Sequence, residues 1–286
     1  MTQRIGLIAG NGRFPFLVLD AARALGYDVT IIAIKEEASK EIEEAAARSP
    51  KADLHWVSIG QLGRFLEILK NANLTQAVMA GQVKHIKIFG GFVPDLTAMS
   101  LMGRLKGMNT DALIGAVADL MRERGVELIN SAQFLEPLLA REGQLSERPP
   151  SESERQDLAF GYRMADAIAA LDIGQTIAVK HQAVVAVEAM EGTDETIARA
   201  GYLAGDGVTI IKVAKPNQDM RFDVPIVGLA TIQAMRIAGA RVLSLDAGRT
   251  LIFDRDEFFV AANAAQIAVV GRASDGAESA ARGKQR

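Results

Sequence analysis

The fifteen residues from Ala214 to Gly228 place Lys215, Arg221, Asp219, Asp223, Asn217 and Gln218 in one loop between two apolar runs. Two cations, two carboxylates and two amides are the groups that phosphoryl chemistry requires. Lys215 and Arg221 can neutralise charge on a transferring phosphate, the arginine through two parallel hydrogen bonds. Asp223, just ahead of the second run, can hold a metal ion or orient an attacking water. The plainer alternative is a solvated connecting loop.

A second candidate lies between Val187 and Asp194, where Glu188, Glu191 and Asp194 gather at the end of an apolar stretch and Thr193 and Asp194 open a helical one. Either residue can simply cap the helix. Three carboxylates at one strand end nevertheless repel one another unless a cation or hydrogen-bond donors offset them. A divalent ion would do so, and Mg²⁺ takes a few carboxylate oxygens together with water and phosphate oxygens. The third candidate is Gly10-Asn11-Gly12-Arg13-Phe14-Pro15, at a junction that reads as strand to helix. Such a bend offers backbone N–H groups to an anion, or it only reverses the chain. It is half a dinucleotide fingerprint, because Pro15 stands where a third small residue is needed, and Pro is in any case a good first-turn residue.

Other chemistries fall away. Among 286 residues there is no cysteine, which excludes disulfides, thiolate nucleophiles and sulfur-ligated metals. There is no Walker loop, no Gly-x-Ser-x-Gly elbow and no His-Glu-x-x-His. His55, His85 and His181 are far apart in sequence and read as core or surface residues. A net charge of −3 gives no footprint for nucleic acid. No apolar stretch approaches the roughly 20 residues of a membrane span, and the start, Met1-Thr2-Gln3-Arg4, lacks a secretory pattern. The expected location is the cytoplasm. Methionines between Met99 and Met108 suit packing, or an apolar ligand such as acyl chains.

The elements that must position these groups follow from periodicity. Apolar runs at Arg4 to Ala9, Asp28 to Ile34, Leu54 to Ser58 and Thr75 to Ala80 alternate with helical patterns at Phe14 to Leu25, Glu36 to Ala47 and Gln61 to Lys70. Strands separated by helices form a mainly parallel sheet, so residues 1–145 are expected to be a Rossmann-like domain. A helix is expected at Ala112 to Arg124. Arg141 to Arg155, with Gly143, Pro149 and Pro150, has the composition of a linker. Residues 146–286 read as a mixed α/β domain, with helices at Glu154 to Leu171, Thr193 to Ala204, Thr231 to Ala238 and Arg255 to Asn263. Its strands are expected at Thr176 to Val179, Ala183 to Glu188, Val208 to Val213, Val224 to Val227, Arg241 to Leu245 and Ile267 to Val270, with a short hairpin-like pair after Leu245. Ala273 to Arg286 reads as a frayed tail.

Taken in order, these stretches resemble one family, the UDP-2,3-diacylglucosamine pyrophosphatases of the LpxI type. The resemblance runs from Gly6-Leu7-Ile8-Ala9-Gly10-Asn11-Gly12 and Pro15 through Leu171-Asp172-Ile173-Gly174-Gln175 and Glu191-Gly192-Thr193-Asp194. It continues through Ala214-Lys215-Pro216, Gln218, Arg221, Asp223, Pro225 and Gly228 to Ala230-Thr231-Ile232. Where relatives often have Gly-Asn-Val and Gly-Asp-Asp, this chain has Gly81-Gln82-Val83 and Asn109-Thr110-Asp111. The resemblance implies Mg²⁺-assisted hydrolysis of UDP-2,3-diacylglucosamine to UMP and 2,3-diacylglucosamine 1-phosphate (lipid X), in lipid A biosynthesis. It implies a cytosolic enzyme working at the inner membrane face, often a homodimer, with substrate held between its two domains and water directed at the phosphorus next to the sugar. Asp223 takes the position of the family's essential aspartate. On this basis Asp223 and Asp194 are expected at the metal. Thr193, Lys215, Gln218 and Arg221 are expected on the substrate, with Gly10, Asn11 and Gly12 meeting its head group. The alternative is a nucleotide-sugar or dinucleotide binding protein without hydrolytic activity. An NAD enzyme would need an acidic ribose partner after the second strand, where Glu36 stands.

Overall fold

The computed structural model describes residues 3–81, 93–103 and 110–273. The chain divides into two units, Met1–Leu135 with Met220–Phe222, and Glu136–Asp219 with Asp223–Arg286.

In the first unit the apolar runs become β1 (Arg4–Ala9), β2 (Asp28–Ile34), β3 (Asp53–Val57), β4 (Gln76–Ala80) and β5 (Glu127–Ile129). All are parallel, in the order β3-β2-β1-β4-β5. Helices Phe14–Ala24, Leu62–Asn71 and Thr110–Glu123 occupy crossovers of this sheet. Coverage on both faces explains why β1 and β2 are apolar without alternation, with Ile5, Leu7, Ile31 and Ile32 fully buried. The helix expected from Glu36 begins instead at Glu41. Glu36 is drawn away from helix formation because its carboxylate accepts hydrogen bonds from the Ser58 hydroxyl and, at 3.2 Å, the Ile59 N–H. Gln82, His85 and much of the methionine stretch lie outside the described residues, as do the side chains of Thr110 and Asp111.

The second unit is built on a six-stranded sheet. Its strands are β6 (Gly143–Gln144), β7 (Thr176–Lys180), β8 (Ala183–Val187), β9 (Thr209–Lys212), β11 (Val242–Asp246) and β13 (Ala268–Arg272), in the order β6-β13-β11-β9-β7-β8. The β9, β11 and β13 strands run parallel, whereas β6 and the β7–β8 hairpin run antiparallel to their neighbours. The hairpin turns through His181 and Gln182, both left-handed, and buried Asp157 accepts both of their N–H groups at 3.2 and 2.6 Å. Helices Glu152–Ala170, Thr193–Ala204, Leu229–Ile237 and Arg255–Ala264 complete the unit. Its core gathers Ile197, Ile210, Leu243, Leu245, Phe258 and Val269.

Two expectations change here. The pair expected after Leu245 is no hairpin: β12 (Leu251–Ile252) runs parallel to β10 (Ile226–Val227), with the helix Leu229–Ile237 and β11 between them in sequence. The Arg141 to Arg155 stretch is ordered despite its linker composition. Gly143 and Gln144 pair with β13, and buried Ser146 donates to Ile267 O at 3.0 Å and accepts from Val269 N–H at 2.7 Å. Arg148 holds Glu154 with two bonds of 2.9 and 2.8 Å, and Ser151 with Glu154 forms a capping box on the following helix. Polar residues read as linker by composition are here spent on satisfying a sheet edge and a helix start.

Candidate active site

Two of the carboxylates that opened the question of a cation, Glu188 and Asp194, act on a lysine. Every residue of β9 is buried, and its last, Lys212, is only 6% exposed. Its ammonium donates to Thr193 Oγ1 at 2.7 Å, and that hydroxyl donates to Glu188 Oε1 at 2.9 Å, with Thr176 Oγ1 3.3 Å away. Burial pushes the Lys212 ammonium toward its neutral form, and the negative charges of Glu188, Asp194 and Asp223 pull the other way. Glu188, 8% exposed, also accepts from Gln175 N–H at 3.4 Å. Gly174 lets the two turns meet: a Cβ there would lie 2.0 Å from Glu188 O. Glu191 leaves this cluster for Arg199, which binds it at 2.5 Å and Val187 O at 2.8 Å. Lys212 and Arg199 therefore supply positive charge to the group whose repulsion the sequence left unbalanced.

The loop after β9 is closed by its own side chains. Gln218 Oε1 accepts from Lys215 N–H at 2.7 Å while Gln218 Nε2 donates to Asp223 O. Asp223 N–H returns to Asp219 O at 2.9 Å. The Lys215 ammonium lies 2.6 Å from Asp172 Oδ1 and 3.5 Å from Asp223 Oδ2. Asp246, buried at the end of β11, holds the loop's origin by accepting Ala214 N–H at 2.8 Å. Its other oxygen takes Arg272 Nε at 2.7 Å, and Arg272 reaches on to both oxygens of Asp166 at 3.0 and 2.8 Å. These carboxylates outweigh burial and raise the Arg272 pKa, so the anchor keeps its charge.

Beside the loop, the second unit has a cleft of about 380 Å³ lined by Glu191–Glu195, Ile226–Gly228 and Thr231. It opens at the starts of two helices, Thr193–Ala204 after Gly192 and Leu229–Ile237 after Gly228, neither of which has a side-chain cap. Within this unit Thr193 and Asp194 line the cleft, Lys215, Gln218 and Asp223 meet one another in the loop, and the charges of Asp194 and Asp223 both act on Lys212.

Gly10, Asn11, Gly12 and Arg221 belong to the first unit. Gly10 N–H donates to Ala80 O at 2.8 Å, Gly12 N–H to Asn11 Oδ1 at 2.7 Å, and the helix that follows has no side-chain cap. The bend needs Gly81 at φ +94°, since a Cβ there would sit 2.5 Å from Asn11 O. Arg221 is fixed through its backbone: Ser131 N–H donates to Met220 O at 2.9 Å, and the Ser131 hydroxyl lies between Met79 O at 2.6 Å and Arg221 O at 2.5 Å. Phe222 packs against the core of this unit.

Among the described residues, no group of three or more His, Asp or Glu side chains is placed to cage a metal. A Mg²⁺ ion would therefore have to take one or two carboxylates and complete its shell with water and phosphate oxygens. Sequence reasoning missed Lys212, Asp172, Asp246 and Ser131 as parts of this architecture. Lys212 had a signal, a charge closing an otherwise apolar strand, while the others depend on tertiary pairing.

The fold and site define a two-unit α/β protein, with a parallel sheet in one unit and a lysine–carboxylate cluster in the other. Residues 4–138 match the LpxI N-terminal domain and residues 141–270 the LpxI C-terminal domain, so the chain belongs to the LpxI family. A curated relative, UDP-2,3-diacylglucosamine pyrophosphatase LpxI of Caulobacter vibrioides, is 29% identical over 283 residues, covering 94% of this chain and 97% of that protein. Among solved structures, WbmG of Bordetella bronchiseptica in complex with NAD and UDP is 14% identical, with a TM-score of 0.30, over 44% of this chain and 36% of that one. The biotin carboxylase domain of Hydrogenobacter thermophilus 2-oxoglutarate carboxylase is 12% identical, with a TM-score of 0.25, over 71% and 42%. Likenesses this slight carry no argument about the chain. No helix among the described residues is long and apolar enough to cross a membrane.

Proposed function

We propose that this chain hydrolyses the pyrophosphate bond of UDP-2,3-diacylglucosamine, giving UMP and 2,3-diacylglucosamine 1-phosphate in lipid A biosynthesis. Membership of the LpxI family and the curated relative's activity support the substrate. The observation that carries the chemistry is the Lys215 ammonium beside Asp223 in a loop closed by Gln218.

In this mechanism water attacks the phosphorus next to the sugar. Its oxygen bonds to that phosphorus, the bond to the bridging oxygen breaks, and the bridging oxygen leaves with UMP. Asp223 accepts a hydrogen bond from the water and takes its proton on toward solvent. Lys215 and Arg221 neutralise the charge that builds on the phosphate oxygens, and Gln218 keeps Lys215 and Asp223 in register. Thr193 shapes the substrate wall of the cleft, its hydroxyl oriented by Lys212 and Glu188. Gly10, Asn11 and Gly12 form the bend that borders the head group; the Gly10 N–H stays on Ala80 O, and the Gly12 N–H would have to exchange its bond to Asn11 Oδ1 for the ligand. Asp223 and Asp194 are the residues that would hold Mg²⁺, which when bound supplies further positive charge to the diphosphate.

The diacyl substrate would draw the enzyme transiently to the inner face of the membrane from the cytoplasm. Val93, Leu96 and Met99, all exposed, offer apolar surface for that approach. Assembly as a homodimer rests on the family resemblance. Against a dinucleotide-binding protein stands Glu36, whose carboxylate is already engaged by Ser58 and Ile59 rather than open to a ribose. Incubating the purified chain with UDP-2,3-diacylglucosamine, with Mg²⁺ or with EDTA, tests the proposal. UMP and the lipid phosphate are expected in equal amounts with Mg²⁺ and much more slowly with EDTA. Binding without product would leave the non-hydrolytic alternative, and equal rates in both arms would remove the ion.

A further inference from the structure

Lys215 is not held by Asp223 alone. Its nearer partner is Asp172, at 2.6 Å against 3.5 Å, and the two carboxylates differ in their surroundings. The Asp172 side chain is 62% exposed, on a left-handed residue just past the end of the helix Glu152–Ala170, whereas Asp223 is 31% exposed and Lys215 only 22%. One ammonium thus answers two carboxylates, and the closer, more solvated one comes from outside the loop.

We propose that Asp172 occupies Lys215 in the free protein as a stand-in anion, and that a diphosphate displaces it on binding, so that Asp172 sets the threshold of negative charge a ligand needs. The inference rests on the function proposed above. A carboxylate carries a single negative charge and is readily rehydrated at this exposure, while a diphosphate presents several oxygens and more charge to the same ammonium. A singly charged or neutral ligand gains little by replacing Asp172. A pyrophosphate gains enough to free it. Asp172 is therefore a specificity-determining residue that acts through Lys215 and takes no part in bond breaking.

Asp172→Asn is the direct test, because asparagine also tolerates the left-handed backbone and removes only the charge. Steady-state kinetics with UDP-2,3-diacylglucosamine should show KM lowered about two- to five-fold with kcat little changed, the size expected for loss of an exposed competing ion pair. Calorimetric titration with methylene diphosphonate, which needs no turnover, should show the same gain, shrinking as salt is raised. In a Lys215→Met background the gain should vanish. A purely structural Asp172 predicts a raised KM and a lower unfolding midpoint instead. Unchanged or weaker diphosphonate affinity in Asp172→Asn overturns the inference even if the wild type is active. A wild type that binds diphosphonate, gains affinity with Asp172→Asn and never releases UMP overturns the hydrolase function and leaves the role of Asp172 standing.

Discussion

Replacing Lys212 by methionine tests whether the buried ammonium balances the carboxylates around it. Methionine nearly matches the shape of lysine, so the change removes a charge and a donor while filling much of the same space. Lys212 is 6% exposed and Glu188 8%, so neither can recover much hydration where it stands. The two are bridged by the Thr193 hydroxyl rather than paired directly, and leaving a buried charge uncompensated costs about 3–5 kcal/mol. Glu188 keeps its bonds from Thr193 and Gln175, which favours the lower end, about 3 kcal/mol. In a unit of roughly 150 residues that lowers the thermal midpoint by about 6–12 °C. Urea unfolding followed by circular dichroism gives the free energy, and Glu188→Gln in the same background should recover at least half of the loss, since it removes the stranded charge. A loss under about 1 kcal/mol, or no recovery in the double variant, would refute the claim that Lys212 compensates this cluster.

Other expected outcomes follow from the same geometry. Burial raises the Glu154 pKa, but hydrogen bonds from Arg148 and Ser151 outweigh it and hold the carboxyl below its ordinary 4.5. The unfolded chain therefore takes up this proton first, so the stabilisation is complete above about pH 4.5 and is lost as pH falls through the folded value; Glu154→Gln should flatten that acid limb of a stability–pH curve. Gly174→Ala would force a methyl to within 2.0 Å of Glu188 O, so a loss of at least about 1–3 kcal/mol in denaturant unfolding is expected, along with slower turnover. A fully stable, fully active Gly174→Ala chain would show that the two turns can separate without consequence.

How much of this was legible depended on how local each cause was. The parallel sheet of the first unit follows from apolar runs spaced by helical ones, and the helical pattern from Thr193 to Ala204 matches the helix found there. The Lys215–Asp223 loop stood out by residue type alone, because its chemistry is concentrated in nine consecutive positions. What escaped was long-range pairing. Nothing near Asp172 announces that it meets Lys215, and nothing near Ser146 announces that it satisfies β13. Glu36 looked helical by composition but found better partners across the sheet, at Ser58 and Ile59. Lys212 was read as part of a strand, correctly, yet a charge placed among apolar neighbours needs a partner, and that rule already pointed to a site.

The most direct measurement is the initial rate of UMP release from UDP-2,3-diacylglucosamine by Asp223→Ala beside the wild-type chain, with the unfolding midpoint and substrate affinity measured on the same samples. If Asp223 directs the water, turnover should fall at least about a thousand-fold, roughly 4 kcal/mol of barrier, while the midpoint and affinity stay near wild type. A variant that retains its fold and hydrolyses substrate within tenfold of the wild-type rate would contradict the account, because the loop built around Asp223 and Lys215 would then not be where the bond is broken.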